Sequence, residues 1–174
     1  MPPEYDLHTA GPSPVVICYY QSSPAEIADC PASRVANDAA AIMTSIGDPA
    51  CLHRVSCIIV WSDSRPDKPA DLTPATPSRY YPGDRKIQIL ASWYNAGTLA
   101  HELGHALHCL QRVGPDQDAV GRAIWAAGAT AWGWAYPEGF AEAFRNWTGP
   151  VESGRVVQPG QPEYFRLCAA LPGR

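Results

Sequence analysis

His101-Glu102-Leu103-Gly104-His105, set in the run from Gly97 to Leu110, decides how this chain of 174 residues is read. On an α-helix each residue advances about 100°, so residues four apart return to within about 40° of one another. His101 and His105 are therefore expected one turn apart on one helix face, with both imidazoles able to reach a single metal ion. Glu102 falls beside that face, where its carboxylate can take a proton from a zinc-activated water. The plain alternative is a surface helix carrying two solvated histidines.

A zinc peptidase site needs a third protein ligand and an open fourth position. His108, Cys109 and Gln111 are the nearest candidates, but none is well placed. The metzincin pattern requires Gly at 108 and His or Asp at 111, where this chain has His108 and Gln111. A better candidate lies in Tyr136-Pro137-Glu138-Gly139-Phe140-Ala141-Glu142-Ala143-Phe144-Arg145-Asn146-Trp147. Pro137 and Glu138 suit the first turn of a helix. Phe140, Ala143, Phe144 and Trp147 recur at helical spacing as its buried face. Glu138 and Glu142 share one face beside that apolar stripe, which is costly for two carboxylates unless something positive meets them. Zinc would satisfy Glu138, and the N–H of a ligand histidine would satisfy Glu142. The reverse assignment, with Glu142 as ligand and Glu138 outside, stays open.

H-E-x-x-H followed by a distant Glu-x-x-x-Glu helix resembles the gluzincin metallopeptidases. The run from Glu138 to Arg145 is most similar to the corresponding helix of anthrax lethal factor-type catalytic domains. The resemblance covers Asn95 to about Trp147, roughly a third of the chain. It implies an α+β, zincin-like fold: a small mixed sheet, an active-site helix bearing H-E-x-x-H, and a second helix carrying the glutamate ligand. It further implies one Zn2+ held by His101, His105 and Glu138, with Glu102 as general base and Glu142 behind a ligand histidine. The pattern departs from that family at one point. Lethal factor-type sites carry an oxyanion-stabilising tyrosine several residues before the ligand glutamate, whereas here Tyr136 is two residues before it and Ala131 seven before. Tyr136 is the candidate for that catalytic role, with Tyr94 and Tyr164 as alternatives.

The length fits one domain with a sizeable core. Residues 1–14 read as an extended N-terminal arm and 15–174 as a single zincin-like domain. A net charge of −4 leaves no electrostatic footprint for nucleic acid, and no apolar run reaches the length of a membrane span. The N-terminus lacks the basic start and apolar stretch of a signal peptide. Six cysteines, none in a C-x-x-C pair, argue against a second, structural zinc site. Their number suggests an oxidising, extracellular setting with Cys18–Cys30, Cys51–Cys57 and Cys109–Cys168 paired. Buried thiols in a reducing cytoplasm are the alternative.

Val15 to Tyr20 and Val55 to Trp61 read as strands, the second central in the sheet. Val35, Ala39, Ile42 and Met43 mark a helix from Ser33 to Ser45. Ser62 to Arg85, with five prolines, reads as a long loop. Lys86 to Leu90 alternates as a strand leading into the metal helix. If that strand is the exposed sheet edge, Ile87, Ile89 and Ala91 would bind an extended peptide substrate by strand addition. Gly104 should mark close approach of a neighbouring element, Leu99, Leu103, Ala106 and Leu110 should be core, and Asp116 to Ala127 should form a connecting helix. The functional expectation is a zinc metalloendopeptidase acting on protein or peptide substrates. A zincin-fold structural or binding module of a larger assembly, with little or no proteolytic activity, is the rival.

Overall fold

The computed structural model describes residues 4–10, 13–20, 32–45, 55–110, 136–148 and 165–166. They form an α+β arrangement in which three helices accompany a mixed sheet. In chain order the elements are β1 (Glu4–Ala10), β2 (Ser13–Tyr20), α1 (Ala32–Ser45), β3 (Cys57–Trp61), β4 (Ser78–Tyr81), β5 (Lys86–Leu90), α2 (Ala96–Leu110) and α3 (Tyr136–Thr148). The five strands lie in the order β1-β2-β3-β5-β4. β2, β3 and β5 run parallel, while β1 and β4 pair antiparallel at the two edges.

β3 is central and wholly buried, as five consecutive apolar residues (CIIVW) with β-branched side chains require. Its alternation divides two apolar layers. Ile58 and Val60 join Ile87, Ile89 and Tyr80 on the face covered by the helices. Cys57, Ile59 and Trp61 face the other way with Leu90, and Leu72 from the 62–77 connection covers them. There the Trp61 indole N–H donates to the buried Gln88 side-chain oxygen at 2.6 Å, which satisfies both polar groups in an apolar layer.

On the helical side, α1 contributes Val35, Ala36, Ala39, Ile42 and Met43, and α2 contributes Leu99, Ala100, Leu103, Ala106 and Leu107. Each fully buried Leu or Phe contributes roughly 1.5–3 kcal/mol by removal from water. Phe140 and Phe144 of α3 complete the layer and meet Phe165 edge-on at 5.1 and 5.4 Å, while Trp147 stacks on Phe165 at 5.4 Å.

The expected helix at 33–45 and the strands at 55–61 and 86–90 are present within a residue or two. Glu4–Ala10, read as an arm, is extended and paired residue by residue with β2. The region from Ser62 to Arg85 is not one loop, because β4 lies within it. Consequently β5 is not a sheet edge. It is paired on both sides, Ile87 and Ile89 are fully buried, and Ala91 starts a 3-10 turn. Ile87, Ile89 and Ala91 therefore cannot offer backbone to a peptide, and the edge nearest α2 is β4.

The expected connecting helix at 116–127 lies outside the described residues, as do Cys30, Cys51 and Cys168 and the side chains of Cys18 and Cys109, and with them the three expected cysteine pairs. Cys57 is buried, and no disulfide is found among the described residues. No described helix is long and apolar enough to cross a membrane.

Candidate metal centre

α2 starts where the sequence supplies a cap. The Asn95 side-chain oxygen accepts the Thr98 backbone N–H at 2.8 Å, and Leu99 N–H bonds to the Asn95 carbonyl at 3.1 Å. The helix then carries His101, Glu102 and His105 alongside the edge strand β4. It packs against α3 at Gly104, where a β-carbon would lie 2.8 Å from the Ala141 α-carbon and 3.1 Å from the Ala141 carbonyl oxygen. Glycine allows the two backbones to touch, which brings the first two turns of α3 beside the histidines. The close approach expected at Gly104 is thus to a helix.

At this contact His101, His105 and Glu138 converge. The two histidine Nε2 atoms are 3.1 Å apart; Glu138 Oε2 lies 3.4 Å from His101 Nε2 and Glu138 Oε1 lies 3.4 Å from His105 Nε2, so the carboxylate spans both rings. A tetrahedral ion with bonds of about 2.0–2.1 Å would hold its donors about 3.3 Å apart, and the three residues each offer a donor atom within 4.8 Å of the others, near enough to close on one ion. Glu142, 6 % exposed, sits behind it with Oε2 3.2 Å from His101 Nδ1. A proton on Nδ1 donated to that carboxylate leaves Nε2 with its lone pair on the side shared with His105 and Glu138. In this arrangement Glu138, rather than Glu142, joins the two histidines in a group that could hold a metal ion, and Glu142 lies against the far nitrogen of His101.

The electrostatics suit a cation. Burial, reinforced by the neighbouring His101, lowers the His105 pKa to about 4, so its imidazole is neutral and able to donate a lone pair. Hydrogen bonding to His101, aided by His105, holds Glu138 below the usual carboxylate range despite partial burial. Two imidazole nitrogens and one carboxylate oxygen form a donor set suited to a divalent transition metal. The residues present therefore fit a metal ion, and they can hold one.

Glu102 is adjacent, 3 % exposed, and differently held. The Ser78 hydroxyl donates to its Oε1 at 2.7 Å, while Oε2 is buried with no hydrogen-bond partner among the described residues. Burial raises the pKa of this carboxyl, and the neighbouring His101 imidazole, the Ser78 hydroxyl and the Tyr80 backbone amide pull against that rise. A carboxylate with an unused buried oxygen beside a cation site has the character of a proton acceptor.

These four residues line one side of a cleft of about 580 Å³, whose other side is Pro82 with residues 75–80. Antiparallel pairing leaves alternate residues of an edge strand with outward-facing backbone groups. The Pro77 carbonyl bonds to Leu90 N–H, so Ser78 and Tyr80 direct their backbone groups away from β5, the Tyr80 amide towards the Glu102 carboxylate. The open stretch is short. Thr76 exchanges both backbone bonds with Thr73, and Pro82 has no N–H.

Other candidates fall elsewhere. His108 packs its ring 5.0 Å from Phe140 and does not join the metal-binding group. Tyr94 donates to Asp38 at 2.9 Å with Arg34 over its ring, tying α2's approach to α1. Tyr136 opens α3, but its side chain lies outside the described residues, as do those of Cys109, Gln111 and Tyr164. Sequence reasoning missed Ser78 and the edge strand. The available signal was Tyr80-Tyr81 ahead of Pro82-Gly83-Asp84, a β-prone pair before a turn leading into β5.

In comparisons with family models, with curated proteins and with solved structures, no significant match to this chain is found.

Proposed function

We propose that this chain is a zincin-like, gluzincin-type zinc metalloendopeptidase, with His101, His105 and Glu138 as ligands and Glu102 as general base. The observation carrying this reading is the convergence of His101, His105 and Glu138, whose donor atoms lie within 4.8 Å of one another, directly beside a buried glutamate with an oxygen unpaired among the described residues, open to a cleft. A zinc ion held there would polarise the scissile carbonyl and make a water acidic enough to attack at neutral pH.

The chain's own residues supply the rest. Glu102 takes the proton from the attacking water and returns it to the leaving amine. Its raised pKa brings it nearer to neutrality, which favours both transfers. Glu142 keeps the His101 imidazole in the ligating tautomer. An extended peptide would pair with β4 through the Ser78 backbone groups, since β5 is paired on both sides. Tyr136, at the head of the helix that bears Glu138, remains the candidate for stabilising the oxyanion.

The test is cleavage of a peptide library by zinc-loaded protein. Turnover should vanish on chelation and return on adding zinc back. Absence of cleavage by the zinc-loaded protein would favour a structural or binding module built on the same site.

A further inference from the structure

Resting on the peptidase reading above, we propose that Ser78, on the cleft-edge strand β4, is the positioning residue for the Glu102 carboxylate. A glutamate's last torsion is broad and nearly two-fold, so helix packing alone does not set the plane of its carboxylate. Glu102 is too buried for solvent to orient it. The Ser78 hydroxyl, 2.7 Å from Oε1, fixes that plane and occupies one oxygen. Oε2 is thereby left to take the proton.

Ser78 is itself held in place. It sits opposite Ile89 in the β4–β5 ladder, and the preceding residue anchors the strand through the 2.8 Å bond from Leu90 N–H to the Pro77 carbonyl. The strand that would align a peptide therefore also aligns the base. Water, base and scissile bond share one rigid frame, in which a displacement of about 1 Å can cost roughly 10²-fold in rate.

Two measurements test this. In the first, Ser78→Ala should lower kcat ~10–100-fold with KM within about twofold and zinc content unchanged, because a hydrogen bond to a charged group is lost. Ser78→Thr, which retains a hydroxyl and suits a strand, should recover kcat to within about threefold. The second measurement is independent of turnover: a double-mutant cycle of Ser78→Ala and Glu102→Ala on the unfolding equilibrium of the metal-free protein. The single change at Ser78 should alter the unfolding constant at least about fivefold more when Glu102 is present than when it is absent.

Additive effects in the cycle, a loss expressed in KM or zinc content, or failure of Thr to rescue would each overturn the assignment. If wild type itself cleaves nothing, the peptidase reading fails and the positioning role with it, whatever the cycle shows. If wild type cleaves and Ser78→Ala matches it, only the Ser78 assignment fails.

Discussion

Gly104→Ala tests the helix contact on which the metal centre depends. The added β-carbon would lie 2.8 Å from the Ala141 α-carbon, 3.1 Å from its carbonyl oxygen and 3.2 Å from the Phe144 β-carbon. Two carbons rest at about 3.5–4.0 Å, so α2 and α3 must part by roughly 0.7 Å or more. The nearest atoms are backbone and cannot rotate aside. Overpacking of this kind costs about 1–3 kcal/mol, against which alanine's helix preference returns up to about 1 kcal/mol. The expected net loss of stability is therefore about 1 kcal/mol. The effect on the metal should be larger. Glu138 and Glu142 ride on α3, and ligand distances tolerate only about ±0.2 Å, so zinc affinity should fall at least about tenfold. Denaturant unfolding of the metal-free protein and competitive zinc titration measure the two effects separately. Gly83→Ala is the control, since nothing lies within 4 Å of a β-carbon there. It should stay within about 0.5 kcal/mol of wild type with zinc affinity unchanged. A Gly104→Ala protein as stable as wild type and equally tight for zinc would refute the argument.

Three further outcomes are expected. Glu142→Ala should weaken zinc about 10–100-fold without removing any ligand, because the His101 tautomer is no longer fixed; unchanged affinity in the same titration would contradict that role. Glu102→Gln should make the metal-free protein more stable by about 1 kcal/mol at neutral pH, since it removes a buried charge with one unsatisfied oxygen; a loss of stability in denaturant unfolding would show that the carboxylate is better satisfied than its surroundings indicate. Burial, with the hydrogen bond to Asp71, raises the Tyr81 phenol to about 12. The folded state thus keeps a proton that the unfolded state releases near 10, so this contribution to stability is complete below pH 10 and is lost as pH rises from 10 towards 12. An ultraviolet titration of wild type minus Tyr81→Phe should show a phenol ionising well above 10, and a midpoint near 10 would contradict it.

Local order was legible where one element carried its own evidence. His101, Glu102 and His105 are one helical turn, so their spacing alone set their relation. Glu138 and Glu142 stood out because carboxylates beside an apolar stripe need a partner. Strand order was not legible in this way. β5 alternates as an edge strand would, yet whether its second side is covered depends on a four-residue strand flanked by Pro77 and Pro82. That strand gives too little periodicity to register among the prolines of 62–85. Ser78 was hidden for the same reason, since a serine acquires meaning here only from the carboxylate the fold brings to it. Gly104 announced a close contact through its cost in a helix, but only the packing identified Ala141 as the other side.

The central claim is that Glu102 acts as the base beside a zinc held by His101, His105 and Glu138. The most direct measurement is turnover of a cleaved peptide by Glu102→Gln, with zinc content determined on the same sample. The expected result is about one zinc per chain, as in wild type, and a rate lower by at least about 10²-fold. A zinc-loaded Glu102→Gln protein that cleaves at the wild-type rate would contradict it.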